Sequence, residues 1–242
     1  MPIDGHTSPR AHKLRGSVSV LSPIVLSLKV AALATAVTFV VGLALARLFS
    51  VRQVPLRRVW EALLLLPLVF PPTITGYLLL ALLGRRGLLG GALAHAGIPV
   101  VFTWAAAVIA SFVVSLPLMY QNCKAALLGV EPQYANAART LGVPEGRIFL
   151  RITLPIAAPG ILSGTALSFA RALGEFGATL MVAGNIPGRT QTIPLALYSA
   201  VEGGRTTEAN ILLAVTVVLS FGLVAVVGWS ERRVFISGKN VR

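Results

Sequence analysis

Long apolar stretches alternate with short polar ones along this chain. The apolar stretches cover residues 24–46, 62–83, 100–120, 154–183 and 209–229. Each is long enough to cross a hydrocarbon core of about 30 Å at about 1.5 Å per residue. Lipid offers no partner to a backbone N–H or C=O, so a crossing segment must satisfy these groups itself, as a helix. The pattern predicts an all-α integral membrane protein with about five transmembrane helices. The second stretch is interrupted by Pro67, Pro71, Pro72 and Gly76. Each proline removes a donor and clashes with the preceding turn, so a kinked or broken helix is expected there. The first stretch is too long for a cleaved signal peptide, and no small-residue cleavage site follows it. Without a fixed-period repeat or a low-complexity segment, residues 21–230 read as one membrane domain between tails at 1–20 and 231–242.

Composition sharpens this picture. Of 242 residues, 55% are hydrophobic and 12% charged, a balance that soluble domains do not show. A net charge of +13 raises nucleic acid as a partner, but apolar stretches this long exclude a nucleic-acid-binding domain. Basic cytoplasmic loops explain the charge instead. With the amino terminus outside, 12 basic residues fall in cytoplasmic segments: Arg47, Arg52, Arg57, Arg58, Lys124, Arg139, Arg147, Arg151, Arg232, Arg233, Lys239 and Arg242. Seven fall outside: Arg10, Lys13, Arg15, Arg85, Arg86, Arg189 and Arg205. The excess favours an outside amino terminus and a cytoplasmic carboxyl terminus.

Several chemistries are excluded. The lone Cys123 supports neither an intrachain disulfide nor a Cys-rich metal site, and His6, His12 and His95 are too scattered to ligate a metal together. With eight acidic residues in all, of which Glu175 alone is embedded, no acid–base or nucleophile constellation is expected, and no catalytic residue. The glycine-rich segment 84–91 lacks the Lys-Ser/Thr of a phosphate loop, so the chain is not expected to bind ATP or another cofactor itself. Trp60, Trp104 and Trp229 lie near span ends, where indoles favour the interface, and Lys29 is placed to snorkel outward.

One polar stretch is longer than a connector requires. "QYANAARTLGVPEGRIFLRITLP" covers residues 133–155 between the third and fourth apolar stretches. Residues 134–141 read as a helix of small residues, stopped by Gly142 and Pro144. A second short helical segment, 145–153, leads into Leu154-Pro155. Ala135, Ala137 and Ala138 give the first helix a shallow surface on which a partner's groove can close. The spacing is an Ala-Ala pair, three residues, Gly142, nine residues, then Ile152-x-Leu154-Pro155. It resembles the EAA motif of ABC-importer permeases, the cytoplasmic coupling helix that docks into the nucleotide-binding subunit. Asn136 stands where that family usually has Glu. The resemblance assigns coupling to Asn136, Ala137, Ala138, Arg139, Gly142, Leu154 and Pro155.

Three further segments extend the likeness. "LSLKVAALAT" (26–35), "LPLVFPPTITGYLLLALLGRRGLLG" (66–90) and "FARALGEFGATLMVAGNIPGRTQTIPLALY" (169–198) are similar to the molybdate/tungstate permease branch. The resemblance covers roughly residues 22–230. It implies a permease subunit in the bacterial inner membrane that imports molybdate or tungstate. It further implies a homodimer of this chain, two ABC ATPase subunits that bind the ATP, and an extracytoplasmic molybdate-binding protein. A sulfate or thiosulfate importer remains open, since these cargoes are tetrahedral dianions of similar charge. An ion-coupled carrier or channel is a rival class, but it has no use for a docking helix.

Candidate path residues follow from cost. Broken helices persist in membranes where they are packed in protein or line a cavity, which places Pro71 and Pro72 beside the translocation path. Arg171 and Glu175 are opposite charges within an apolar stretch, four residues apart and so on one helical face. Two roles are open. Arg171 can attract a passing dianion, with Thr179 and amides near Gly174, Phe176 and Gly177 as extra donors. Alternatively, the pair is a structural lock in the gate region.

Overall fold

The computed structural model describes residues 9–51 and 54–239. His6, Arg52 and Arg242, considered above, lie outside them. The described residues form helices α1 (Pro9–Val51), α2 (Arg57–Val69), α3 (Pro72–Leu83), α4 (Leu88–His95), α5 (Trp104–Leu128), α6 (Pro132–Thr140), α7 (Glu145–Ile148), α8 (Leu154–Leu173), α9 (Gly177–Ala183), α10 (Ile193–Glu202) and α11 (Thr206–Lys239). Four helical segments among them have the length and hydropathy to cross a membrane: Val20–Ser50, Trp104–Leu128, Glu145–Leu173 and Thr206–Leu223. The pair α2 and α3 makes a fifth if taken as one span, and it is bent by 117°. The chain is an all-helical, multi-pass membrane protein.

Local chemistry explains the ends that shape the second and third stretches. Phe70 and Pro71 both precede a proline, which drives them out of the helical region. Their ψ values are 140° and 135°, and α3 restarts with Pro72 in its first turn, where a missing N–H is harmless. The expected break in the second stretch is therefore present, as a sharp corner. At the head of α5, Thr103 caps the helix by accepting the Ala106 N–H at 3.4 Å. This corrects the third stretch: residues 100–103 are loop, Phe102 has φ 61°, and the helix continues to Leu128. The fourth stretch is also corrected. It is not one helix over 154–183, because residues 174–176 separate α8 from α9. Helix α1 includes residues 9–20 and α11 reaches Lys239, so helix extends into both segments read as tails.

The core is a three-helix stack of α1, α5 and α8, built with small residues. Val30 packs with Ala106, Ala107 and Ala110, and further along Phe49 meets Tyr120 edge-on, with ring centroids 6.0 Å apart. Helices α1 and α5 thus run parallel, and Thr38 and Ser115 share a buried hydrogen bond of 3.1 Å between them. Helix α8 runs antiparallel to α5. A Cβ on Gly160 would lie 2.7 Å from Ala126 Cβ, and one on Gly164 would lie 2.6 Å from Asn122 Cβ. Close backbone approach through small residues is how membrane helices gain packing when lipid is as apolar as they are.

Gly164→Val therefore forces α5 and α8 apart and should lower stability by about 1–3 kcal/mol, the usual range for overpacking. A Cβ on Gly222 meets nothing within 4 Å, so Gly222→Ala should leave the protein as stable as before, or more so. Thermal unfolding of both variants in detergent checks the pair.

Candidate functional site

The polar stretch forms a compact corner at one end of the α5–α8 pair. Helix α6 ends with Thr140, and two bonds close it: Gly142 N–H to Arg139 O at 2.9 Å and Val143 N–H to Ala138 O at 3.1 Å. This is a Schellman cap, which needs a left-handed residue after the helix. Gly142 supplies it, at φ 73°, a conformation strained for any residue with a Cβ. Beyond Pro144, α7 runs through a π-helical turn, Phe149–Thr153, in which Leu154 N–H reaches Phe149 O. Pro155 explains the wider turn: it has no N–H, and its ring would press on the carbonyl four residues back in a regular helix.

Side chains fix this corner internally. The Arg139 guanidinium donates from Nε and Nη2 to the two oxygens of Glu145, and from Nη1 to Asn136 Oδ1 at 2.7 Å. Glu145 raises the pKa of Arg139, first by hydrogen bonding and then by charge, so the guanidinium stays protonated. Ala138 is buried, whereas Asn136, Ala137 and Gly142 are exposed. Leu141 is 82% exposed, and Tyr134 and Leu150 are also open. Leu154 is half-buried and Pro155 exposed. Behind the corner lies a cavity of about 320 Å³ lined by Arg47, Ser50, Ala135, Arg139 and Phe149 among others. Arg47 sits 3.8 Å above the Phe149 ring. All the coupling candidates are thus in one place, and Arg139 and Glu145 were joined by nothing in the sequence beyond their types.

The remaining candidates gather at the far end of α8, whose 20 residues carry it about 30 Å. Gly174 ends α8, and its N–H bonds Ala170 O at 3.1 Å. Glu175 is 2% exposed. One of its oxygens accepts the Ala178 N–H at 2.8 Å and the other lies 2.6 Å from Arg171 Nη1. The carboxylate thus holds a free donor at the start of α9 and a charge at the end of α8. Phe176 leans on the Tyr198 ring, with centroids 5.3 Å apart. Helix α9 packs on α3: a Cβ on Gly76 would lie 2.7 Å from Ala178 Cα, and one on Gly177 would lie 3.0 Å from Pro72 Cβ. Pro71 sits at the corner itself. Thr179 is buried in this seam, and its hydroxyl, like that of Thr75, has no hydrogen-bond partner among the described residues.

Two features escaped the sequence reading. Lys29 does not simply reach for the surface: its Nζ lies 3.8 Å from the Trp104 ring centroid, tying α1 to the head of α5. Glu61 lies at the rim of the second stretch and receives three donors on one oxygen: Tyr120 OH at 2.7 Å, Lys124 Nζ at 2.8 Å and Arg57 Nε at 3.0 Å. The only local signal was Arg57–Glu61, an i,i+4 pair; the other partners are 59 and 63 residues away.

The chain thus carries a capped, exposed corner at one end and a broken, ion-paired seam at the other, joined by one helix. The family model for the binding-protein-dependent transport system inner membrane component matches residues 30–236. The chain belongs to this family. Among relatives of this inner membrane component, the putative molybdenum transport system permease protein YvgM of Bacillus subtilis is 44% identical over 201 residues, covering 83% of this chain and 88% of the relative. The molybdenum transport system permease protein ModB of Escherichia coli K12 is 42% identical over 212 residues, covering 86% and 92%. The fold of this component matches the inward-facing MetNI methionine ABC transporter with a TM-score of 0.73 at 18% identity, over 94% of this chain and 99% of that one. A bacterial alginate ABC transporter gives 0.71 at 17%, over 88% and 79%. As a member of a transport family it is not an enzyme.

Removing either partner of the Arg171–Glu175 pair leaves a charge stranded beside apolar helices, a loss of about 3–5 kcal/mol for fully buried pairs. The partial exposure of Arg171, 28%, makes the loss smaller here. Arg171→Gln and Glu175→Gln should each lower the unfolding temperature, and the double variant should lose less than the sum. Additive losses would show that the two side chains act independently.

Proposed function

We propose that this chain is the membrane subunit of a molybdate importer in the bacterial inner membrane, worked by ATP hydrolysis on separate subunits. The observation that carries the reading is the sequence likeness, above 40% over most of the chain, to molybdenum transport permeases. The capped corner of α6 and α7 supports the ATP-driven part. It is an exposed, preformed helix with apolar side chains turned outward, suited to a groove on an ATPase subunit. Two ATPase subunits and an extracytoplasmic molybdate-binding protein complete the assembly.

In this reading the chain works as a homodimer. Ile74, Tyr77 and Leu78 of α3 are exposed next to the corner, and a second copy facing them completes a path between two α3–α9 seams. The corner at 133–155 lies in the cytoplasm and the 174–192 region faces outward, as the basic residues indicate. Selectivity rests mainly with the binding protein. A membrane path has to release its cargo, so strong binding there would slow transport.

Molybdate uptake at nanomolar concentration, with sulfate as competitor, tests the cargo. Cells lacking the chain should lose uptake, and excess sulfate should leave the restored uptake largely intact. Sulfate competing equally would replace molybdate in this assignment. Gly142→Val tests the coupling. It should insert normally, yet lose uptake and substrate-stimulated ATP hydrolysis together, because a β-branched residue resists φ 73° and the Schellman cap opens. Full stimulation in that variant would remove α6 from the docking role.

A further inference from the structure

We propose that Glu61 is a positioning residue for transport, the joint through which the docking corner holds the near leg of the broken span. The inference rests on the importer reading above and adds a residue to it. Helix α2 is loosely seated: none of its residues is buried, and Leu64 and Leu65 alone in it lie against the main core cluster. Its polar attachment is therefore decisive, and that attachment is Glu61. Of the three donors converging on its Oε1, Tyr120 and Lys124 belong to α5 and Arg57 to α2 itself. The Glu61 and Lys124 side chains are only 20% and 24% exposed, so water competes weakly for the pair compared with an open surface bridge.

The α5 side of this joint is rigid. Tyr120 is 1% exposed and wedged against Phe49 of α1. Lys124 lies one turn further along, with its Nζ 5.6 Å from the Tyr120 ring centroid. Four residues beyond Lys124 the helix ends at Leu128, and α6 begins at Pro132. On the other side, α2 passes through the Phe70–Pro71 corner into α3, which is packed on α9 and so stands next to the Glu175 pair. A carboxylate at position 61 therefore connects two segments remote in sequence, one leading to the docking helix and one to the far-end seam. Helix α8 makes the other connection between these ends, along the chain. With both in place, a shift of the docking corner moves α2 and α3 with it. With Glu61 neutralised, α8 still moves but the leg of the broken span is released.

The test uses the whole transporter, with its ATPase and binding protein, in vesicles loaded for molybdate uptake. The readout is molybdate moved per ATP hydrolysed, normalised to assembled complex. Glu61→Gln keeps the shape and removes the charge; it should lower this ratio by at least about fivefold, the lower end of typical coupling effects between sites. Lys124→Met should lower it in the same direction, and the double variant should be no worse than Glu61→Gln alone, as for two members of one contact. Leu64→Ala loosens the apolar seat of α2 without touching the carboxylate, and should keep the ratio at the wild-type value. Should Glu61→Gln fail to assemble, Lys124→Met decides on the same readout. An unchanged ratio in the assembled variants, or an equal fall in Leu64→Ala, overturns the proposal. A wild-type complex that does not hydrolyse ATP in response to loaded binding protein defeats the importer reading instead, and this assignment with it.

Discussion

A peptide group inside a lipid bilayer has to find its partner within the chain, and the whole arrangement depends on that constraint. Straight helices meet it automatically. Two places where the chain abandons helix inside apolar sequence, at 70–71 and 174–176, each need a separate remedy. At the first, Pro71 and Pro72 carry no N–H, so the corner is made from residues with no donor to strand. At the second, the Glu175 carboxylate accepts the Ala178 N–H at the head of α9. The two breaks also cover one another, since Pro72 and Gly76 of α3 lie against Gly177 and Ala178 of α9. A protein that only had to cross a membrane would have no reason to place two irregular segments in mutual contact.

The rest of the bundle makes those breaks tolerable and connects them to the opposite end. Small residues let α5 and α8 approach so closely that neither Gly160 nor Gly164 has room for a side chain. Such a pair moves as a unit, because packed interfaces resist gradual deformation. Helix α7 continues directly into α8 through the π turn, and α8 ends at Leu173, one turn past Ala170 and next to Gly174 and the Arg171–Glu175 pair. Mechanical continuity from Glu145 to Leu173 is thus provided by one unbroken helical element. The polar clamp of Asn136, Arg139 and Glu145 fixes the corner that precedes this element, and Glu145 places a carboxylate beside Arg139 although position 136 has none.

Much of this was legible in the sequence where a residue type allows few conformations. Proline chemistry announced the corner between α2 and α3, since Pro71 and Pro72 have little alternative. Gly142 announced the cap of α6, because a helix followed by Gly, Val and Pro is a stop. Legibility failed where apolar character persisted through a change of backbone. Residues 100–102 are as hydrophobic as the helix beside them, so the loop at Phe102 left no mark in hydropathy, and Gly174 and Glu175 interrupt the fourth stretch too briefly to divide it on hydropathy alone. Glu61 failed for another reason: Tyr120 and Lys124 are neighbours only after α2 has folded back on α5. The signal that remained was a lone acid at the rim of an apolar stretch, one turn after Arg57.

The far-end ion pair shows how structure narrows a choice that sequence left open. One Glu175 oxygen accepts a backbone N–H, and the other is paired with Arg171 by charge at 2.6 Å without an aligned hydrogen bond. A carboxylate so held cannot swing away to expose a bare guanidinium without also uncapping α9. We therefore read the pair as part of the seam's construction; in the importer reading proposed above, Arg171 adds a screened, partly exposed positive edge to the path. That arrangement suits a dianion in transit: a fully unpaired arginine in a low-dielectric setting would bind it strongly and slow its exit. In the importer reading, neutralisation by Glu175 would weaken the hold of Arg171 on a passing anion and so favour its release.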